Sequence, residues 1–465
     1  MKKIILIAFC SILLFGCANK SNVRYDALSQ SLKQGGFTGA IQTIEKEKED
    51  LYGEKSAFLY HFDLGVLFHY NRDFKKSIEH LSKAEQVYDD LYAKSVTNEA
   101  AALLTNDNTR PYRARPFELL FLYQVQILNY LAINDLDGAN VEVKRAQMAM
   151  EALYQKDSEK VNDNGFLQYL TALVYEMNGE IDNAAISYYK AAKAYKEYGQ
   201  KLPVELVDFM SYTLQKTGRE EDLKLLKMNN IPETPLSQSL EEKGAEIIVI
   251  GYAGHSPILG EMRMSGTFVN GGGLNLTYTD AQTGEIKSFT MIAPIIAESG
   301  TATAHIAFSL PEKQVLPFDV YDFSIYLNDE PEIFSENVTD LNDEITRNLK
   351  DDWSGTVAKT AARVALRTFA AQKTKKAVET NNPLLNLATS IGTDVASSQL
   401  EKADLRVGLF MPNRIHMTRI PVGPGQHDLD IAALDSRGAT VSRFTFKQVS
   451  IKKGQKLFLF IPAIK

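Results

Sequence analysis

The side chains best able to do chemistry in this chain are seven histidines, two cysteines and a surplus of carboxylates. The histidines His61, His69, His80, His255, His305, His416 and His427 are scattered. None pairs with another at the i, i+4 spacing with an intervening glutamate that a helix-borne zinc site requires, so no metal and no cofactor is expected. Gly271-Gly272-Gly273 lacks the strand-then-helix setting of a phosphate cradle and reads as a hairpin tip. Gly251-Tyr252-Ala253-Gly254-His255-Ser256 misses the Gly-x-Ser-x-Gly order of a nucleophile elbow and reads as a strand-end turn. Carboxylate pairs such as Asp351-Asp352 or Asp428 with Asp430 are ordinary in an acidic protein, and glycoside hydrolysis would need two of them at a fixed separation across a cleft. No catalytic residue emerges, and the residue whose surroundings point to a definite modification is Cys17.

Ahead of Cys17 stand Lys2 and Lys3 and then a 12-residue apolar run, Ile4 to Phe15, the layout of an export signal. A spanning helix needs ~20 apolar residues, so the run does not read as an anchor. The stretch Leu14-Phe15-Gly16-Cys17 resembles the lipobox of bacterial lipoproteins. That resemblance implies a signal peptide over 1–16, diacylation of the Cys17 thiol, acylation of the new amino terminus and a lipidated tether over 17–25. Several acyl chains together hold durably to a bilayer where one binds marginally. Ala18, in place of Asp, implies by resemblance to lipoprotein sorting the outer membrane, and the periplasmic face is the expected side. Cys10 lies inside the signal, so the mature chain has no internal disulfide and must rely on packing. The formal charge of −7 becomes −9 once Lys2 and Lys3 are removed, without the basic excess of a nucleic-acid reader.

With 465 residues the chain exceeds what one core usually supports, and its texture changes along its length. Residues 26–228 read as helical, with one turn signature recurring: a small or polar pair, a bulky apolar residue, and a small residue three further on. It occurs as Gly35-Gly36-Phe37 with Ala40, Arg72-Asp73-Phe74 with Ser77, Asn134-Asp135-Leu136 with Ala139, and Gly179-Glu180-Ile181 with Ala184, and more weakly around Gly218 and Leu223. The pair suits a tight helix-to-helix turn and the small residue lets two helices approach. Residues 229–244, with Pro232 and Pro235, read as a linker. Residues 245–465 read as a β-rich unit with strands at Ala245–Tyr252, Thr267–Val269, Leu274–Thr279, Ile286–Ile292 and Val320–Leu327. Further strands are expected at Asp404–Leu409, His427–Ala432, Ser442–Val449 and Lys456–Ile461, after helices at Leu341–Leu349, Thr356–Val378 and Leu384–Leu400 inserted at about 339–400. The fold class expected is α+β: a helical solenoid followed by a β-rich domain with a helical insertion.

The helical signature resembles the tetratricopeptide repeat, best over His61 to Tyr92 and again with Ala172, Tyr175, Ile181, Ala184, Tyr188 and Ala191. A wider resemblance rests on Asp404-Leu405-Arg406, Met411-Pro412, Arg419-Ile420 and Pro424-Gly425-Gln426-His427, with Phe117-Glu118, Asn129-Tyr130-Leu131 and Gly251-Tyr252-Ala253 earlier in the chain. It is to a family of proteobacterial tetratricopeptide-like outer-membrane lipoproteins. The family carries over no enzymatic activity; it implies an envelope protein, sometimes encoded near lipoprotein activators of peptidoglycan synthases.

Two surfaces stand out as candidate sites. The solenoid tyrosines Tyr175, Tyr188, Tyr189, Tyr195 and Tyr198 could line a concave groove for a protein or peptide partner, or fill the repeat core. The segment Thr356–Val378 combines an apolar stripe of Val357, Ala361, Val364, Ala365, Thr368 and Ala371 with Lys359, Arg363, Arg367 and Lys373. It reads either as a basic helix for anionic lipid or an acidic partner, or as a helix whose small face packs on a sheet. The expected function is a lipid-anchored, periplasm-facing scaffold; the alternatives are an envelope enzyme acting on glycan or peptide stems, or a carrier of a small apolar ligand.

Overall fold

The computed structural model describes residues 20–95, 108, 110–156, 163–225, 236–269, 273–280, 284–292, 303–328, 330–376 and 402–464. Cys17, Lys373 and the segment Leu384–Leu400 expected as a helix lie outside them or outside their described side chains. The fold is α+β, helices first and strands after.

Helix α1 (Lys20–Lys46), broken at Gly36, is followed by α2 (Lys48–Leu51), α3 (Ala57–Tyr70), α4 (Phe74–Ser95), α5 (Pro116–Ala132), α6 (Leu136–Lys156), α7 (Gly165–Met177), α8 (Ile181–Glu197) and α9 (Val204–Lys216). Helix α1 starts inside the expected tether, and its Arg24 and Leu28 are already buried. Consecutive helices pack as hairpins, α3 on α4, α5 on α6 and α7 on α8, each hairpin against the next. The turn signature does what its residue types require. Arg72, Asn134, Gly179 and Gly218 take left-handed backbone, and in each case the next N–H returns to a carbonyl of the finishing helix, as from Asp73 to Phe68 and from Glu180 to Tyr175. Ala40, Ser77, Ala139 and Ala184 are fully buried where the helices meet.

Inner and outer helices differ in composition. The inner ones, α3 and α5, are apolar almost all round, whereas the outer α4 and α6 carry a polar face. A helix apolar on every side must be covered on every side. What covers α3 and α5 is the rest of the chain.

After α10 (Glu221–Leu225), α11 (Leu236–Lys243) forms inside the stretch expected as a linker and packs on α9 and on the sheet. The Ser237 hydroxyl and N–H both donate to the buried Asp208 carboxylate, so this connection is fixed rather than loose. The strands are β1 (Ala245–Ala253), β2 (Ile258–Val269), β3 (Gly273–Thr279), β4 (Ile286–Ile292), β5 (Thr303–Gln314), β6 (Asp322–Leu327), β7 (Ile333–Phe334), β8 (Glu336–Asp340), β9 (Arg414–Val422), β10 (Gly425–Leu434), β11 (Thr440–Ile451) and β12 (Lys456–Ala463). Among the described residues they form three four-stranded sheets, ordered β12-β1-β9-β8, β11-β10-β6-β7 and β4-β3-β2-β5.

The first sheet is central, with β1 parallel to β12 and antiparallel to β9. Every residue of β1 is buried, which is why Ala245 to Ala253 reads as an almost unbroken apolar run. Its Ile247 and Val249 face the second sheet, with Phe323, Ile325 and Ile431 opposite, in a β-sandwich. Gly251 is needed there, because a Cβ would stand 2.4 Å from the Phe323 ring. The alternate residues Ile248, Ile250 and Tyr252, with Phe458 and Phe460 of β12, share one continuous core with α3, α5 and α7. Each buried Ile or Phe contributes roughly 1.5–3 kcal/mol, so the helical array and the sandwich form one packed body rather than two separate domains.

The third sheet packs on α12 (Leu341–Lys376) through Met264, Leu276, Phe308, Val357, Ala361 and Val364. This helix is continuous where a break was expected between Leu349 and Thr356. Gly355 sits in open space within it, and a single glycine costs a helix only about 1 kcal/mol.

Candidate functional site

The face of α3 and α5 not covered by the central sheet is filled by residues 402–413, an irregular segment bent at Leu409, Phe410 and Asn413 and buried from Leu405 to Asn413 apart from the half-buried Arg406. Asp404–Leu409 was expected as a strand; it has no ladder, because its backbone groups are taken up by helix side chains instead. Gly408 N–H donates to Glu118 Oε1 and Leu409 N–H to Asp63 Oδ1, both at 2.8 Å. Each carboxylate is clamped from behind by a tyrosine hydroxyl, Tyr52 on Asp63 at 2.8 Å and Tyr112 on Glu118 at 2.6 Å. On the carbonyl side, Arg24 donates to Val407 O, and the Tyr70 hydroxyl to Phe410 O at 2.9 Å. A Cβ at Gly408 would lie 2.4 Å from the Phe62 ring, so only glycine lets this strap reach the groove floor. Asp404 and Arg406 form the ion pair that their spacing allows, at 2.7 Å. Burial pushes Asp63 up to about 6 against the pull of Arg24, and burial raises Glu118 as well.

Toward the other end, the central sheet meets the helices through ions. Arg419 of β9 is fully buried and forks onto Glu246 of β1 (2.5 and 3.0 Å) and Glu176 of α7 (2.9 Å), while its plane covers the Phe209 ring at 3.4 Å. Lys456 of β12 bridges the same two carboxylates. Burial alone would raise Glu176 and Glu246, but Arg419 and Lys456 outweigh it and hold both below the usual carboxylate range. Glu205, which accepts the backbone N–H of Arg419, is driven well above that range by burial, which outweighs the pull of Arg419. Between the strap and this cluster, His69 bridges Tyr252 Oη at 2.8 Å and Asn129 Oδ1 at 2.7 Å; burial lowers it to about 4 and keeps it neutral. These arrangements fasten the molecule together.

On the outside of the helical array, a groove of about 670 Å³ opens between α4 and α6, lined among others by Glu85, Tyr88, Asp89, Tyr92, Arg145 and Met148. Met148 is 71% exposed and Tyr92 50%. The Tyr123 hydroxyl donates to Glu85 Oε1 at 2.8 Å, and Arg145 Nη1 lies 3.2 Å from both Glu85 and Glu142. Burial and the nearby Glu85 raise Glu142 to about 7, and burial raises Glu85 and Asp89.

The five solenoid tyrosines do not form a groove. Tyr175, Tyr188 and Tyr195 are buried in the core, the Tyr188 hydroxyl bonding Glu176 and that of Tyr195 bonding Val338 O, both at 2.5 Å. Tyr189 and Tyr198 are half-buried, Tyr198 lying under the Arg347 guanidinium at 4.4 Å. A partner-binding role therefore cannot rest on the three buried members. On α12, Lys359 is exposed but Arg363 is buried and Arg367 half-buried, so the three make no common cationic face; the small residues pack on the third sheet. Ser335, His416 and Asp322 cluster, but Ser335 Oγ at 3.0 Å and Asp322 at 3.3 Å both meet His416 Nδ1, whereas a relay needs them on opposite ring nitrogens. Among the described residues no group of three or more His, Cys, Asp or Glu could hold a metal ion.

No family model matches the chain, and no curated protein matches it. Among solved structures, one titled "Crystal structure of MamA protein" aligns over 45% of this chain and 88% of its own, at 18% identity and a TM-score of 0.28. So slight a likeness carries neither fold nor function across.

Proposed function

We propose that the protein is a non-enzymatic adaptor of the bacterial envelope. Acyl chains on Cys17 tether it to the outer membrane, and its tetratricopeptide-like hairpins present a binding face to a protein or peptide partner. The observation that carries this reading is the division of the helical array into a closed inner face, filled by the strap and the central sheet, and an outer face that, among the described residues, keeps an open groove. The buried ionic groups support it further, since each is committed to holding the molecule in one shape.

The test places the photocrosslinking residue benzoylphenylalanine at Met148 in living cells, with Lys359 as the comparison position. The expected result is a discrete adduct of one mass from Met148 and none from Lys359. Absence of any Met148 adduct, or turnover of peptidoglycan that a single substitution abolishes, would overturn the reading. Cys17→Ala is expected to leave the chain unprocessed and without lipid, as read by fractionation and mass.

A further inference from the structure

We infer that the groove between α4 and α6 takes an extended segment of a partner protein that carries arginine or lysine flanked by apolar side chains; this rests on the adaptor reading above. Four carboxylates, Glu85, Asp89, Asp90 and Glu142, gather at the groove or directly behind it, against Arg145 in its wall and Arg113 near Tyr88. Glu142 is 2% exposed, turns one oxygen to the Arg145 guanidinium in the groove wall, and has no hydrogen-bond partner on the other. The walls are not merely acidic: Tyr88 and Tyr92 lie stacked 6.3 Å apart, and Met148 projects into solvent beside them. Aromatic faces with carboxylates behind them suit a guanidinium or ammonium, and methionine suits an apolar neighbour of varied shape.

The same molecule supplies a precedent for the occupant. In the inner groove a tyrosine-clamped carboxylate, Asp63 or Glu118, receives an N–H donor from a non-helical, unpaired segment of chain. In the outer groove Tyr123 clamps Glu85 in the same way, and among the described residues no strap fills it. A volume of about 670 Å³ fits two or three side chains of such a segment, within the range of specific ligand sites.

The probe is a fluorescein-labelled octapeptide with two arginines and two leucines spaced by glycine, and its control carries glutamate in place of arginine. Binding to the full chain in nanodiscs is read by anisotropy. Saturable binding of the arginine peptide is expected, with none of the glutamate peptide, and weakening of at least tenfold in Glu85→Gln/Asp89→Asn. Asp89→Asn alone, at a more accessible position, should weaken binding about threefold without touching the fold. Equal binding of both peptides, wild-type affinity in the variants, or no binding at all would overturn the inference. A Met148 crosslink that persists in cells alongside any of these would leave the adaptor reading standing and remove only the basic segment.

Discussion

The inner and outer faces of the helical array use one device to opposite ends. Inside, Asp63 and Glu118 are clamped by tyrosines and satisfied by the backbone of residues 402–413. Outside, Glu85 is clamped by Tyr123, but it and Glu142 share a single guanidinium. The inner face of the helical hairpins is filled by a segment of their own chain, and the groove left open among the described residues lies outside. The difference teaches that a repeat-like pattern does not tell which face is free; that depends on what the rest of the chain lays against it.

Breaking the fusion of helices and sheet should have the largest effect. Arg419→Met leaves Glu176 and Glu246 buried beside Lys456 alone, and removing one partner of a buried ionic cluster costs about 3–5 kcal/mol. The expected outcome is a large fall in Tm and, because helices and sandwich share one core, a single transition by both far- and near-ultraviolet dichroism. A helical transition separate from the sheet transition would show that the two halves are independent after all.

A smaller change tests the inner face alone. Gly408→Ala drives a methyl group into the Phe62 ring, and overpacking of this kind costs about 1–3 kcal/mol. Denaturant unfolding should show that loss with the slope unchanged, while the Met148 crosslink is retained.

The outer face is sharpened by pH. Glu142 sits at about 7 in the folded protein against about 4.5 unfolded, so its contribution to stability is present below the unfolded value and fades as pH rises through the folded one. Glu142→Gln removes that fade. Its stability relative to the unsubstituted chain should therefore rise between about pH 5 and pH 8, and a difference that is flat or falls over this interval would contradict the assignment.

Much of the architecture was legible in the residues. The turn pairs before Phe37, Phe74, Leu136 and Ile181, with small residues three positions on, mark real hairpins because a helix reversal needs left-handed backbone and close approach, both local demands. The run of β1 was legible as a buried strand for the same reason. The strap was not: its residues read as a strand whether their N–H groups meet another strand or Asp63 and Glu118, which lie more than 280 residues away. Nor could Arg419 be seen to meet Glu176 and Glu246, since nothing local links positions so far apart. One available signal was missed. Ala57–Tyr70 and Pro116–Ala132 are apolar almost all round, which demands a cover on the inner face and so speaks against an open concave groove there. By residue type the solenoid tyrosines fit either a groove or the repeat core, and Tyr188 and Tyr195 take the second place, turning inward to bond Glu176 and Val338.

Amide hydrogen exchange at Gly408 and Leu409 in the full chain measures most directly whether the inner face is closed by the strap. If their N–H groups are held by Glu118 and Asp63 as described, both exchange only with global unfolding, as slowly as the amides of β1. Exchange at the rate of an unstructured peptide would mean that the inner groove stands open, and the division between the two faces would fall with it.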